Sequence, residues 1–393
     1  MKHFPPFKIL RTKFLIILVV FFILLSGGFL YKTNQLEVIY QKISNDDTKL
    51  RKDLFAIQKE LLELKSQDQY KINQDLKKEV DNIQKTYDSA VVTYEKMLDF
   101  SGDKTKKAEF EKSFAKSLKL LSGRNYSEAG KILADVKSSI EKENQKAAAA
   151  FKIPENVPQN NTPPSSGFSQ QKVHIDNRDF LVNIVSADLN STKVIVDTAS
   201  DGDCRDNCPV LPLADFVSRS GAFAGINGSF FCPSSYPSCT GKTNSFDTLL
   251  MNKNKTYFNS DNNVYSNVPA VIFSGGSARF VTQSLQWGRD TSVDSVLANY
   301  PLYVLNGEVQ FSANGDPKID SKGTRTFVGT TGSTVYIGLV YNASAGETAQ
   351  VLKTMGMQNA LGLDQGGSTA LWFGGYKAGP GRQIPNALLL VKK

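Results

Sequence analysis

Three short stretches in the C-terminal half set a polar group at the edge of an apolar run with glycine beside it. In "ALGLDQGGSTALWFGG" (360–375) the apolar run ends on Asp364, and Gly366, Gly367, Ser368 and Thr369 follow. In "AGINGSFFCP" it ends at Asn227-Gly228-Ser229, and in "GTRTFVGTT" Arg325 and Thr326 open a strand-like run. A carboxylate can serve as base or nucleophile, an arginine fork suits phosphate, and glycine lets a ligand approach the backbone closely. The N–H and O–H groups after Asp364 offer donors to anionic oxygens. Taken singly, each stretch reads equally well as turn chemistry.

The rest of the composition narrows the choice. Only two histidines occur, His3 and His174, so a Ser-His-Asp triad, a Cys-His pair and an HExxH zinc helix all lack their imidazole. "GGSTA" (366–370) resembles a nucleophile elbow but has no partner histidine. The formal charge is +8, concentrated before residue 171, and the nearly neutral remainder shows no footprint for nucleic acid. The four cysteines, Cys204, Cys208, Cys232 and Cys239, permit three pairings. Local pairs, 204 with 208 and 232 with 239, are favoured over a four-thiolate zinc site, because neither pair has the usual two-residue spacing. The Asp-rich run 197–206 suits calcium or, preferably, a disulfide-pinned surface loop.

The elements that must carry these residues come in a definite order. Lys2, Lys8, Arg11 and Lys13 precede the uncharged apolar run Phe14–Leu30, which predicts a basic cytoplasmic tail (1–13) and one transmembrane helix (14–31), with the remainder outside the cell. A cleaved signal ending near Ser26-Gly27-Gly28 is the alternative. Leu36, Ile43, Leu50, Ile57 and Leu64 recur every seven residues with Leu54 and Leu61 between them, a coiled-coil pattern suited to self-association. A helical stalk is therefore expected over 32–151, broken at "SGDKT" (101–105), with further helices at about 106–121 and 126–148. The Pro-, Asn- and Ser-rich stretch 152–170 reads as an extended linker. From 171 to 393, short apolar runs alternate with Gly, Asn and Ser, and one clear helix lies near 345–355. The expected fold is an N-terminal transmembrane helix and stalk followed by a C-terminal α+β domain, mostly β with a few helices.

Taken in order, the polar stretches resemble the phosphodiester glycosidase family over roughly residues 170–393. "NGSFF" (227–231), "YPLYVLNGE" (300–308), "TRTFVG" (324–329), "LDQGGST" (363–369) and "RQIPN" (382–386) match its motifs in sequence order. Three positions depart from the pattern: Ser229 and Gln365 each replace a glycine, and Thr324 replaces a proline. Gln365 puts a side chain where the family leaves only backbone. The resemblance implies hydrolysis of a sugar-1-phosphate diester in a glycan or glycoconjugate, with Asp364, Arg325 and Asn227 catalytic. Thr326, Gly366, Gly367, Ser368, Thr369, Arg382 and Asn386 would hold substrate, with no cofactor or metal. Phosphate is already a good leaving group, so one carboxylate and an arginine can suffice where an ordinary glycosidase needs two carboxylates. The competing reading is a non-catalytic envelope protein that binds glycan or protein through the same scaffold.

Overall fold

The computed structural model describes residues 8–259, 267–313 and 315–393; Lys2 and His3 lie outside them. The chain divides into two compact units, residues up to Gln84 and Lys85–Lys393.

The first unit contains helix α1 (Lys8–Ser66) and the start of α2 (Asp68–Asp99). One window of α1 is long and apolar enough to cross a membrane. The membrane-length run and the heptad run are thus one continuous helix. The heptad residues Leu36, Ile43, Leu50, Leu54, Ile57, Leu61 and Leu64 are all exposed in the single chain.

In the second unit, the end of α2 packs with α3 (Lys104–Ser122) and α4 (Tyr126–Ala150). Asp103 caps α3 and Asn125 caps α4 through side-chain oxygens, which ends the helical run where "SGDKT" predicts a break. Met97, Phe100, Phe110, Val136 and Ile140 form the buried seam, with Phe100 and Phe110 edge to face at 5.3 Å. The residues that the sequence assigns to the distal stalk therefore share a unit with the β domain. The expected linker is also attached. Val157 is buried, and Asn160 and Pro158 exchange backbone hydrogen bonds with Lys172 along the outer edge of the sheet. Phe151 stacks on Tyr341, and Asn342 donates to the carbonyl of Ala148 at 2.8 Å.

Among the described residues the β domain has three antiparallel sheets. The largest runs in the order β1 (Gly167–Ile175), β2 (Arg178–Asp188), β13 (Thr334–Ala343), β12 (Gly323–Thr331), β14 (Asn359–Gly362), β10 (Leu302–Leu305), β11 (Glu308–Val309). A second has the order β16 (Tyr376–Ala378), β15 (Leu371–Phe373), β4 (Ala224–Asn227), β17 (Asn386–Lys392), β3 (Thr192–Thr198). The third runs β6 (Tyr257–Phe258), β5 (Leu250–Met251), β9 (Ser295–Ala298), β7 (Ala270–Ser274), β8 (Ser277–Val281). Alternation along the strands splits the core into layers. In β2, Val185 and Ala187 join a core shared by all three sheets, while Val182 and Ile184 face helix α7 (Ala345–Thr354) across the other side. α7 starts in a Ser344–Glu347 capping box. Helix α5 (Leu213–Ser220) covers the second sheet, and the single turn α6 (Pro317–Asp320) precedes β12.

The cysteines pair locally, Cys204 with Cys208 and Cys232 with Cys239. The Asp-rich loop is held by the protein itself. Asp197 pairs with Arg219 at 2.7 Å and Lys253 at 3.1 Å, and Asp206 accepts from the backbone and hydroxyl of Thr243. Among the described residues no group of His, Cys, Asp and Glu is arranged to hold a metal.

Candidate active site

The three polar stretches converge because strand ends from two sheets meet. Gly362 of β14 pairs with Phe327 of β12, so the chain beyond β14 continues beside Thr326 and Arg325. The backbone N–H of Leu363 donates to the carbonyl of Thr326, and that of Asp364 donates to the carbonyl of Gly228, just past β4. Asn227 closes the junction. Its amide donates to the Asp364 carbonyl at 2.6 Å and its oxygen accepts from Ala370 N–H at 3.0 Å. The Thr326 hydroxyl donates to the same Asp364 carbonyl. Asn227 and Thr326 are fully buried, and both hold the Asp364 backbone in place.

Asp364 itself is half-buried. Removal from water pushes its carboxyl up to about 7, against hydrogen bonds from Ser368 and from the Gln365 N–H and the charge of Arg382; Asp247 raises it further. A group that titrates there can take up or release a proton at neutral pH.

Arg382 lies against the Gly366–Gly367 turn. A Cβ on Gly367 would fall 2.2 Å from its Nη2, so glycine lets the guanidinium lie directly against the turn and any other residue would displace it. The Arg382 N–H donates to the Gly367 carbonyl at 2.7 Å. Gly228 is constrained in the same way, because a Cβ there would fall 1.7 Å from Asn386 Oδ1. Asn386 is buried and accepts from Ser229 N–H at 2.9 Å, so Ser229 fits the motif by bonding to Asn386. Thr369 and Ser368 point inward: Ser368 is buried, and the Thr369 hydroxyl is buried without a partner. Of the residues expected to meet a ligand, Gly366 and Gly367 are exposed and Asp364 and Arg382 are partly exposed.

Arg325 has a different environment from the phosphate fork that the sequence suggests. It is 4% exposed, and each of its five N–H groups has an acceptor. Nε donates to the Ala343 carbonyl, Nη2 to those of Ile319 and Ser321, and Nη1 to that of Lys318 and to the Gln365 side-chain oxygen. These bonds tie the guanidinium to α6, the end of β13 and Gln365.

Four further residues join the site without a sequence signal of their own. Asn299, fully buried, accepts from Phe230 N–H and donates to the Gly362 carbonyl, tying the ends of β4 and β14 together. Asp247 follows the bridge between Phe231 and Phe246, and burial raises its carboxyl against the pull of Lys242 and Lys318. Asp99 at the end of α2 pairs with Arg382 at 3.1 Å and accepts from the Tyr236 hydroxyl, while the Arg382 guanidinium sits 5.3 Å over the Tyr236 ring.

The family model for phosphodiester glycosidase matches residues 220–391, so this part of the chain is a phosphodiester glycosidase-family domain. Among solved structures, a hypothetical protein from Synechocystis is similar at 13% identity and a TM-score of 0.45, covering 57% of this chain and 62% of that one. The zebrafish N-acetylglucosamine-1-phosphodiester alpha-N-acetylglucosaminidase catalytic domain, auto-inhibited by pro-peptide, is similar at 14% identity and a TM-score of 0.46, covering 60% and 87%. No curated protein matches the chain.

Proposed function

We propose that the protein hydrolyses sugar-1-phosphate diesters outside the cell, anchored by Phe14–Leu30, with α1 self-associating through its heptad face. The observation that carries the reading is Asp364. It stands at the converging strand ends beside Arg382, in a family domain, and titrates at about 7. Arg382 holds the phosphate, and the Gly366–Gly367 backbone lies beneath it. The ionised Asp364 takes a proton from water as the water oxygen bonds to the anomeric carbon. The bond from that carbon to the phosphate oxygen breaks, and the phosphate leaves as a monoester anion. The proton on Asp364 then passes to solvent. Asn227 and Thr326 hold the Asp364 backbone so that the carboxylate keeps its aim.

The test is to incubate the full chain in membranes or detergent with a panel of sugar-1-phosphodiesters and to assay free sugar. A second reading, a non-catalytic glycan- or protein-binding envelope protein, is favoured by one observation: Gln365 and Asp99 give both site arginines partners from within the protein. Binding to glycan with no sugar released from any diester would select it.

A further inference from the structure

Gln365 sits between the acid–base carboxylate and the buried arginine, and it is bound to both. Its N–H donates to Asp364 Oδ1 at 2.8 Å, and its side-chain oxygen accepts from Arg325 Nη1. The other four Arg325 N–H groups are committed to the carbonyls of Ala343, Lys318, Ile319 and Ser321. The Nη1 proton facing Gln365 is therefore the one donor of Arg325 that does not end on the backbone. Gln365 is half-exposed while Arg325 is buried, so the Gln365 side chain covers the one Arg325 N–H that does not end on the backbone.

From this we infer that Gln365 is a specificity-determining residue: by capping Arg325, it leaves Arg382 as the only arginine that meets the phosphate, so the site selects singly charged diesters over doubly charged monoesters. The inference rests on the proposed reaction for its biological meaning, but its physical content is a charge preference. A phosphomonoester carries close to two negative charges at neutral pH, whereas a diester carries one. The Arg382 fork plus a freed Arg325 N–H would suit the first; the Arg382 fork alone, already shared with Asp99, suits the second. Asp247 and Asp364 add negative charge beside the same opening, which further disfavours a dianion. The selection would let the protein release the product phosphomonoester while retaining a preference for its diester substrate.

The experiment measures binding of methyl phosphate and dimethyl phosphate to the full chain at about pH 8, where the first is a dianion, for the parent, Gln365→Ala, Gln365→Asn and Gln365→Glu. The parent should bind dimethyl phosphate at least as tightly as methyl phosphate. Gln365→Ala uncaps Arg325 and should shift the ratio about tenfold toward methyl phosphate, in line with one charge-assisted hydrogen bond. Gln365→Asn, which withdraws the carboxamide by one methylene, should shift it the same way and serves if the alanine variant does not fold. Gln365→Glu keeps a cap on Arg325 and should leave the ratio at or below that of the parent. A parent that prefers the monoester, or folded Ala and Asn variants with ratios within twofold of the parent, would overturn the inference. Failure of the proposed reaction reads out separately, as absence of free sugar from every diester whatever the binding ratio.

Discussion

Asp99 and Arg382 lie far apart in sequence, yet their side chains form an ion pair at 3.1 Å beside the glycine turn that follows Asp364. Asp99 belongs to the helical segment and Arg382 to the candidate site, so the helices contribute directly to the electrostatics of the opening. Asp99 competes with any anion for Arg382. Asp99→Asn should tighten binding of dimethyl phosphate by up to about fivefold, the upper end expected when a partly exposed pair worth about 0.2–1 kcal/mol is removed. Titration of the full chain and the variant checks this, and weaker binding by the variant would show that Asp99 positions Arg382 instead of competing for it.

The position of Asp364 predicts an acid limb in the pH profile. If its ionised form is the base, kcat/KM should rise about tenfold per pH unit below 7 and level off above it, since the carboxyl is pushed up to about 7. Folding has the opposite dependence. The native state holds this proton more tightly than the unfolded chain, so the contribution of Asp364 to stability is fully present below the ordinary carboxylate range and is lost as pH rises toward 7. Thermal melts of the parent and Asp364→Asn between about pH 4 and 8 should converge at the acid end, with the variant the more stable at neutral pH.

Arg325 should behave as a structural residue. Arg325→Lys retains the charge but cannot serve five acceptors, so backbone carbonyls of α6 and β13 lose their donors. A loss on the order of 2–4 kcal/mol is expected, visible as a lowered denaturation midpoint. An unchanged midpoint with a large rise in KM would return the phosphate to Arg325.

The helical segment gives a further expectation. A fragment starting at Lys85 keeps the α2–α4 seam, the Phe151–Tyr341 stack and the 157–160 edge cover. A fragment starting at residue 170 loses all three, removes the first residues of β1 and leaves the rest of that edge strand uncovered, so it should melt lower and aggregate more readily. Comparison of the two by thermal melt and light scattering decides the matter, and equal behaviour would restore the domain boundary that the Pro-rich stretch suggests.

How much of this was legible in the sequence follows from which contacts are local. Strand ends with adjacent glycine marked Asn227, Thr326 and Asp364, and motif order joined them, because strand periodicity and turn chemistry are written within a few residues. The local disulfides and helix α7 were legible for the same reason. Side-chain direction was not. Thr326 and Asn386 occupy motif positions, and nothing in the motif says that both are buried against the protein. The Arg325 acceptors are mostly main-chain carbonyls, which no residue type announces. Asp99, Tyr236 and Asn299 reach the site only through tertiary packing. The Pro- and Asn-rich stretch has the composition of a free linker, and its backbone bonds to β1 leave no compositional trace.

The most direct test of the central claim is release of free sugar from sugar-1-phosphodiesters by the parent and by Asp364→Asn, at matched thermal stability. Asparagine keeps the shape of the side chain and removes its charge and basicity. The account predicts release by the parent and a loss of about a hundredfold or more in the variant, the scale of an acid–base group. A variant within a few-fold of the parent would contradict it, as Asp364 would then be a turn residue that asparagine replaces without loss.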